Sequence, residues 1–261
     1  MKKIIFLLIS VSILFASCET IENREMLGSV LSKDEIDIQV IQEPAGSNTI
    51  VLKNNTPGII PYWDWGTGWS NKNEAEVYIP FAGDYTVEFT AFCDGGTVTV
   101  NRDFSVASND DSYFDSDPAW KGLTGGGSGK TWVWALDHPS GYIAGNGPTD
   151  CLFPAWWVMT PDGLNIPDAL NYEFYMDLNG AANFELKNVV DGSVQKGVFT
   201  VDDPLKIGDV NYSVIEVLGG PHIPWFSGTK YHLTNLTDDE LSVHLYNAYD
   251  VAVFKRKGFV Y

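Results

Sequence analysis

Alternation of apolar and polar residues is the dominant pattern of this chain, and it recurs in short segments. From Ile36 onward, apolar or β-branched residues occupy every second position within each segment, which is the period of a β-strand with one buried face. Gly, Asn and Pro residues separate the segments and favour turns. We therefore predict strands at residues 36–40, 49–52, 75–79, 85–91, 97–100, 131–135, 171–178, 182–186, 197–201, 212–217, 230–236, 240–246 and 251–255.

Helical periodicity is confined to one short stretch, residues 23–32, where Met26, Leu27, Val30 and Leu31 follow a helical spacing. Many short strands without a long helix predict an all-β protein of antiparallel strands. The strands after about residue 113 are compatible with either a sandwich or a barrel.

A different pattern occupies the first residues of the chain. Two lysines precede an apolar run over residues 4–16, which is shorter than the roughly 20 residues of a membrane-spanning helix. The run ends at Cys18 in the sequence Phe-Ala-Ser-Cys, which resembles the lipobox of bacterial lipoprotein signal peptides. The resemblance implies that residues 1–17 are a signal peptide and that lipid on Cys18 anchors a tether, residues 18–33, at the outer membrane. An ordinary secretory signal is the alternative.

Composition narrows the choice of partners. The chain of 261 residues has 34 acidic and 16 basic side chains, for a net charge of −18. A field of that sign repels phosphate backbones and anionic lipid heads, so we expect no nucleic acid and no membrane contact except through lipid. The other two cysteines, Cys93 and Cys151, fall in different predicted domains, which argues against a disulfide framework.

Two motifs in the first half carry a family resemblance. Residues 63–68 are Trp-Asp-Trp-Gly-Thr-Gly, and residues 83–87 are Gly-Asp-Tyr-Thr-Val. Together they resemble the PKD domain, which implies an immunoglobulin-like sandwich over residues 34–107 that serves as a spacer. The resemblance places Trp63 in the core, and period two places Trp65 on the same face. A third tryptophan, at position 69, lies past the turn, where a side chain can be exposed.

The polar, acidic stretch of residues 108–118 is predicted to be a linker between the two domains. The alternative is a calcium site built from some of its carboxylates, since oxygen ligands suit Ca²⁺. We predict no other cofactor.

Several motifs resemble catalytic or nucleotide-binding sites but lack a required element. The glycine-rich residues 125–131 end in Gly-Lys-Thr, but Thr124 stands where a phosphate loop needs glycine, and a strand pattern follows instead of a helix. Glu173 and Asp177 share a strand face about 13 Å apart, which is too far for a glycosidase pair. No serine elbow and no metal-binding histidine spacing occurs. We therefore predict no catalytic residue.

Aromatic residues of the second half are the strongest candidates for binding. Trp156 and Trp157 lie in a proline-bounded segment, and Trp225 lies in a loop shaped by glycine and proline. Flat indole faces suit sugar rings, whose C–H groups stack on them while side chains at the rim bond the hydroxyls. The predicted glycan-binding residues are Trp134, His138, Trp156, Trp157, His222 and Trp225.

A second resemblance covers most of the remaining chain. It is to the C-terminal domain that follows a PKD module in Bacteroidetes surface lipoproteins, proteins that bind glycans in polysaccharide-utilisation systems. The segments that carry it are residues 123–126, 130–133, 145–148, 156–157 and 236–241.

The resemblance implies an outer-membrane, cell-surface protein that captures polysaccharide or oligosaccharide, such as β-glucan, without cutting it, and that works beside outer-membrane uptake proteins. Residues 119–261 are then a second antiparallel β-sandwich of jelly-roll or lectin-like type. A glycoside hydrolase or lyase whose carboxylates converge only in the fold, and a structural or adhesive surface protein, are the alternatives.

Overall fold

The computed structural model describes residues 28–163 and 168–261. The predicted signal peptide, Cys18 and most of the predicted tether lie outside the described residues. The prediction of an all-β protein made of antiparallel strands is confirmed. Within the two described ranges, no helix is both long and apolar enough to cross a membrane.

The first unit is a sandwich of two antiparallel sheets, with strand orders β1-β2-β5 and β4-β3-β6-β7. Trp63 lies between the sheets with no exposed surface and packs against Phe89, with ring centroids 4.4 Å apart. Its indole N–H donates to the carbonyl of Lys72 over 2.9 Å, so this buried polar group is satisfied. The strands are β1 (Ile38–Ile41), β2 (Thr49–Asn54), β3 (Ile60–Asp64), β4 (Trp69–Ser70), β5 (Glu74–Tyr78), β6 (Gly83–Cys93) and β7 (Gly96–Val106).

Two short helices, α1 (Asp111–Phe114) and α2 (Pro118–Thr124), follow the first unit. The segment predicted as a linker is therefore packed rather than free, because Phe114 is buried in the core of the second unit. Phe81 of the first unit packs on Phe114, with ring centroids 5.4 Å apart. This aromatic contact joins the two units.

The second unit is built on a closed antiparallel sheet. Among the described strands, eight form a ring in the order β17-β16-β15-β14-β13-β12-β11-β8, and β8 pairs with both β11 and β17. Sequence neighbours are sheet neighbours, so the connections are those of an up-and-down barrel rather than a jelly roll. The strands are β8 (Lys130–Trp134), β9 (Ala144–Asn146), β10 (Trp157–Met159), β11 (Tyr172–Asp177), β12 (Asn183–Asn188), β13 (Val194–Ile207), β14 (Val210–Leu218), β15 (Lys230–Leu236), β16 (Glu240–Leu245) and β17 (Asp250–Arg256).

The two ends of the barrel are closed by different segments. Helix α2 closes one end, where Leu123 is fully buried and its carbonyl accepts the indole N–H of Trp132 over 3.0 Å. The loop between β14 and β15 closes the other end with the buried side chains of Ile223 and Phe226. The first unit meets the α2 end, because Gly180, in the turn between β11 and β12, donates its N–H to the carbonyl of Ala82 over 2.7 Å.

Strands β15, β16 and β17 are buried on both faces. Their outward residues lie under the long connection between β8 and β11, which includes the hairpin of β9 and β10. His232 and His244 stack beneath it with ring centroids 4.8 Å apart and no exposed surface. Their Nε2–H groups donate to the carbonyls of Thr149 (2.7 Å) and Cys151 (2.8 Å). The two histidines thus hold the connection between β8 and β11, which we call the covering segment, on the barrel.

Candidate functional site

The predicted site residues belong to segments at one end of the barrel, the end away from the first unit. The register of the ring places the start of β17, the end of β14 and the end of β8 at this end. Trp156 and Trp157 reach it because β10 pairs with β9, and β9 pairs with the first half of β17. We call it the distal end.

Trp156, Trp157 and Tyr249 form an exposed aromatic ridge at the distal end. Their exposed fractions are 63%, 50% and 57%, respectively. Trp156 packs on Tyr249, with ring centroids 5.2 Å apart and planes inclined by 58°. Both adjacent tryptophans are therefore exposed.

The ridge is held by its backbone rather than by packing of its rings. The N–H groups of Ala155 and Trp156 both donate to the carbonyl of Asn146, over 3.0 and 2.9 Å. Gly145 is required in the neighbouring strand β9, because a Cβ there would lie 2.0 Å from the carbonyl oxygen of Trp157. The rings therefore stand on a fixed support while their faces meet solvent, which lowers the entropy cost of binding.

Trp225 and His222 line a separate cavity at the same end. The cavity holds about 180 Å³, with Tyr172 and Gln195 on its other sides. Trp225 is half-buried and has a φ of +82°, a left-handed conformation that a bulky residue rarely adopts. Such strain is concentrated at functional sites.

The loop that carries Trp225 is anchored from below by Tyr231. The phenol oxygen of Tyr231 accepts the N–H of Ile223 over 3.0 Å and donates to the carbonyl of Gly228. Burial raises the pKa of Tyr231, so the phenol remains a neutral donor. The conformation of the loop is therefore built into the barrel core.

Tyr172 separates this cavity from a larger outer groove. The groove holds about 540 Å³ on the outside of β8, β11 and β17, and its lining is mostly apolar, with Val133 and Leu170 among its walls. Lys255 and Lys257 stand at its edge. A volume of this size is in the range of small-ligand sites.

Two predicted residues are corrected by the structure. Trp134 is 3% exposed and points into the barrel, where its indole N–H donates to the carbonyl of Ala169 over 2.8 Å. His138 is also buried, and its Nδ1 accepts the N–H of Ser140 over 3.1 Å. Both side chains are buried and help to fix the distal end.

The structure thus brings the predicted residues together in two pairs, Trp156 with Trp157 and His222 with Trp225. The two pairs lie on different sides of the distal end, since the cavity borders β11 to β13 and the ridge borders β17. Tyr249 and Tyr172 complete the two sites. Tyr249 lies in a turn before β17 with no pattern that marks it, whereas Tyr172 lies within a predicted strand.

The carboxylates considered for catalysis or calcium have partners within the protein. Glu173 is buried and pairs with Lys257 at 2.6 Å and Lys187 at 3.7 Å. Asp117 caps α2 through the N–H of Ala119 at 2.7 Å. Within the described ranges, no three His, Cys, Asp or Glu side chains converge as a metal site.

The glycine-rich loop before β8 has a structural role for its lysine. Lys130 is buried, and its ammonium group donates to the carbonyls of Gly122 (2.7 Å) and Asp238 (3.1 Å). Burial lowers the pKa of Lys130. Strand β8 follows directly, so the loop lacks the helix that a phosphate loop requires.

No family model matches the chain, and no curated protein matches it. Among solved structures, the chain is similar to the PKD1 domain of Vibrio anguillarum Epp, with 22% identity over 28% of this chain and 92% of that chain, at a TM-score of 0.25.

Proposed function

We propose that this protein binds extracellular polysaccharide without cleaving it, and that the distal end of the barrel is the binding surface. The observation that carries the proposal is the aromatic ridge, whose three large rings are half or more exposed. Exposed rings on a rigid backbone contribute little to folding and offer flat faces for sugar rings. The cavity beside Trp225 adds polar groups, His222 and Gln195, that suit hydroxyls.

The position of the ridge supports capture from outside the cell. In the proposal, lipid on Cys18 holds the chain at the outer membrane, and the first unit spaces the barrel from that anchor. The first unit contacts the barrel at the α2 end, so the distal end is directed away from it. A Cys18→Ala variant should appear in the soluble fraction after cell fractionation, and its retention as an integral outer-membrane protein would overturn the anchor.

The binding test compares three ring deletions with one control. Trp156→Ala, Trp157→Ala and Tyr249→Ala should each weaken polysaccharide binding by about 1–3 kcal/mol, the scale of ring-on-aromatic stacking. Their melting temperatures should stay near that of the parent, because the rings are exposed. Val190→Ala removes an apolar side chain that is 72% exposed in another distal loop and should change neither quantity.

Calorimetry with the polysaccharide that the parent chain binds measures the affinities. Unchanged affinity in all three variants would contradict the proposal. New reducing ends or unsaturated products on incubation, abolished by one Asp or Glu substitution, would favour the hydrolase or lyase instead.

A further inference from the structure

The first unit has an exposed aromatic surface of its own. On the outer face of the sheet β4-β3-β6-β7, Trp69 is 63% exposed. Its ring stacks on Tyr62 of the adjacent strand, with centroids 6.0 Å apart and planes inclined by only 22°. The two rings are therefore close to parallel, unlike the tilted rings of the aromatic ridge.

Strand register places polar groups directly beside these rings. Two rows of outward residues cross the sheet, and each begins with one ring and continues with carboxylates or hydroxyls. The rows are Trp69–Asp64–Glu88 and Tyr62–Thr90–Thr99. The last two hydroxyls are hydrogen-bonded over 2.9 Å. With strands about 4.8 Å apart, each row extends about 10 Å from its ring.

We propose that these two rows, which we call the sheet platform, form a second glycan-binding surface and that its ligand is a neutral polysaccharide chain. The inference rests on the proposed function, because it takes the same class of ligand. Sugar C–H faces suit Trp69 and Tyr62, and sugar hydroxyls can donate to the carboxylates of Asp64 and Glu88.

The charge of the sheet platform favours a neutral glycan over an anionic polymer, a lipid surface or a second copy of the chain. Asp64 and Glu88 stand beside the rings with no basic residue in the two rows, so an anionic polymer or lipid surface is repelled. A second copy of the platform would bring the same carboxylates together across a two-fold axis, which is unfavourable. A neutral glycan meets neither obstacle.

With the sheet platform, the two units can bind one polysaccharide chain together. One long polysaccharide that contacts both the platform and the aromatic ridge binds more tightly than at either surface alone, because the second contact is intramolecular. A short oligosaccharide at the ridge gains nothing from the platform. Chain length therefore distinguishes the two surfaces.

The experiment uses the full chain and long-chain neutral probes, namely a β-glucan, a xylan and a mannan. Trp69→Ala should weaken binding of the bound probe about tenfold, within the range of stacking contributions, and leave binding of its short oligosaccharides unchanged. Ile60→Ala is the matched control, because it removes an apolar side chain of similar exposure, 66%, from the same sheet but outside the two rows. It should change binding less than twofold.

A second arm starts from the double variant Trp156→Ala/Trp157→Ala. It should keep residual binding of the long probe, and addition of Trp69→Ala should remove it. Equal losses in Trp69→Ala and Ile60→Ala, or no loss in either, would overturn the platform while the distal-end proposal stands. If the parent chain binds none of the three probes, both proposals fail.

Discussion

At the residue scale, the large aromatic side chains of this protein divide into those that pack in the core and those that are exposed to solvent. Trp63 and Trp132 have no exposed surface, as the alternation of their strands predicts for an inward face. Trp156 projects into solvent at the distal end. Trp225 lies between these groups, because it is half-buried against the barrel core and has a positive φ.

Two substitutions at Trp225 distinguish the contribution of its ring from the cost of its backbone conformation. Trp225→Ala loses the packing of the ring and keeps the unfavourable conformation, whereas Trp225→Gly loses the ring and relieves the backbone. The glycine variant should therefore be more stable than the alanine variant by about 1 kcal/mol, the cost of a left-handed non-glycine residue. Urea denaturation of both variants measures the difference, and a less stable glycine variant would contradict the argument.

The stacked histidines beneath the covering segment predict acid sensitivity. Burial lowers the pKa of His244 to about 4 and also lowers that of His232, whereas an unfolded histidine titrates near 6.5. Between those values the unfolded chain binds protons that the folded chain does not. Stability is therefore full above about pH 6.5 and falls as the pH drops toward 4, by about 3 kcal/mol for His244.

Denaturation at several pH values between 7.5 and 4.5 tests this prediction. His244→Asn should flatten the dependence, and His222→Asn, which removes an exposed imidazole, should retain it. An equally steep dependence in His244→Asn would assign the acid sensitivity to other groups.

At the element scale, sequence periodicity predicted most strands and misjudged how some of them are covered. It placed strands where β15 to β17 lie, but it implied one buried face. The second face is buried by the connection between β8 and β11, which has no regular pattern of its own. His232 and His244 lie on that second face, and nothing in the periodicity of their strands indicates that a distant segment covers them.

Helix α2 offers a test of how the barrel end is closed. Asp117 caps the helix and also accepts the hydroxyl of Ser213 on β14 over 2.6 Å, so Asp117→Ala removes two contacts. We expect a loss of about 1–2 kcal/mol of unfolding free energy. Asp115→Ala breaks only an exposed pair with Lys121, which is worth less than about 1 kcal/mol. Equal losses in the two variants, measured by denaturant titration, would show that the cap does not contribute.

At the scale of the whole molecule, the two units are joined through an aromatic contact rather than a flexible linker. Composition could not show this, because residues 108–118 are polar and acidic in sequence while Phe114 is buried in the barrel core. Closure of the barrel was equally hidden, since pairing of β8 with β17 leaves no local signal. The alternating period therefore predicted an all-β fold, but it did not predict how the strands and the two units are arranged.

The aromatic joint predicts coupled unfolding. Phe81 packs on Phe114 and Trp120 across the boundary, so the parent chain should melt in one calorimetric transition. Phe81→Ala should separate it into two, because each unit has its own core. Phe92→Ala, which removes a ring that is 46% exposed on the first unit, should leave a single transition. Two transitions in the parent would contradict the coupling.

The pairing of β8 with β17, which closes the ring, has a consequence for the time course of folding. Trp134 pairs with Phe254, about 120 positions along the chain, whereas the other neighbours in the ring from β11 onward are joined by short connections. Hairpins of low sequence separation form early, and a contact that closes a long loop bears the larger entropic cost. The ring should therefore close last. Until it does, the partly folded sheet has two unpaired edges, and this is the interval in which the protein is most prone to aggregate.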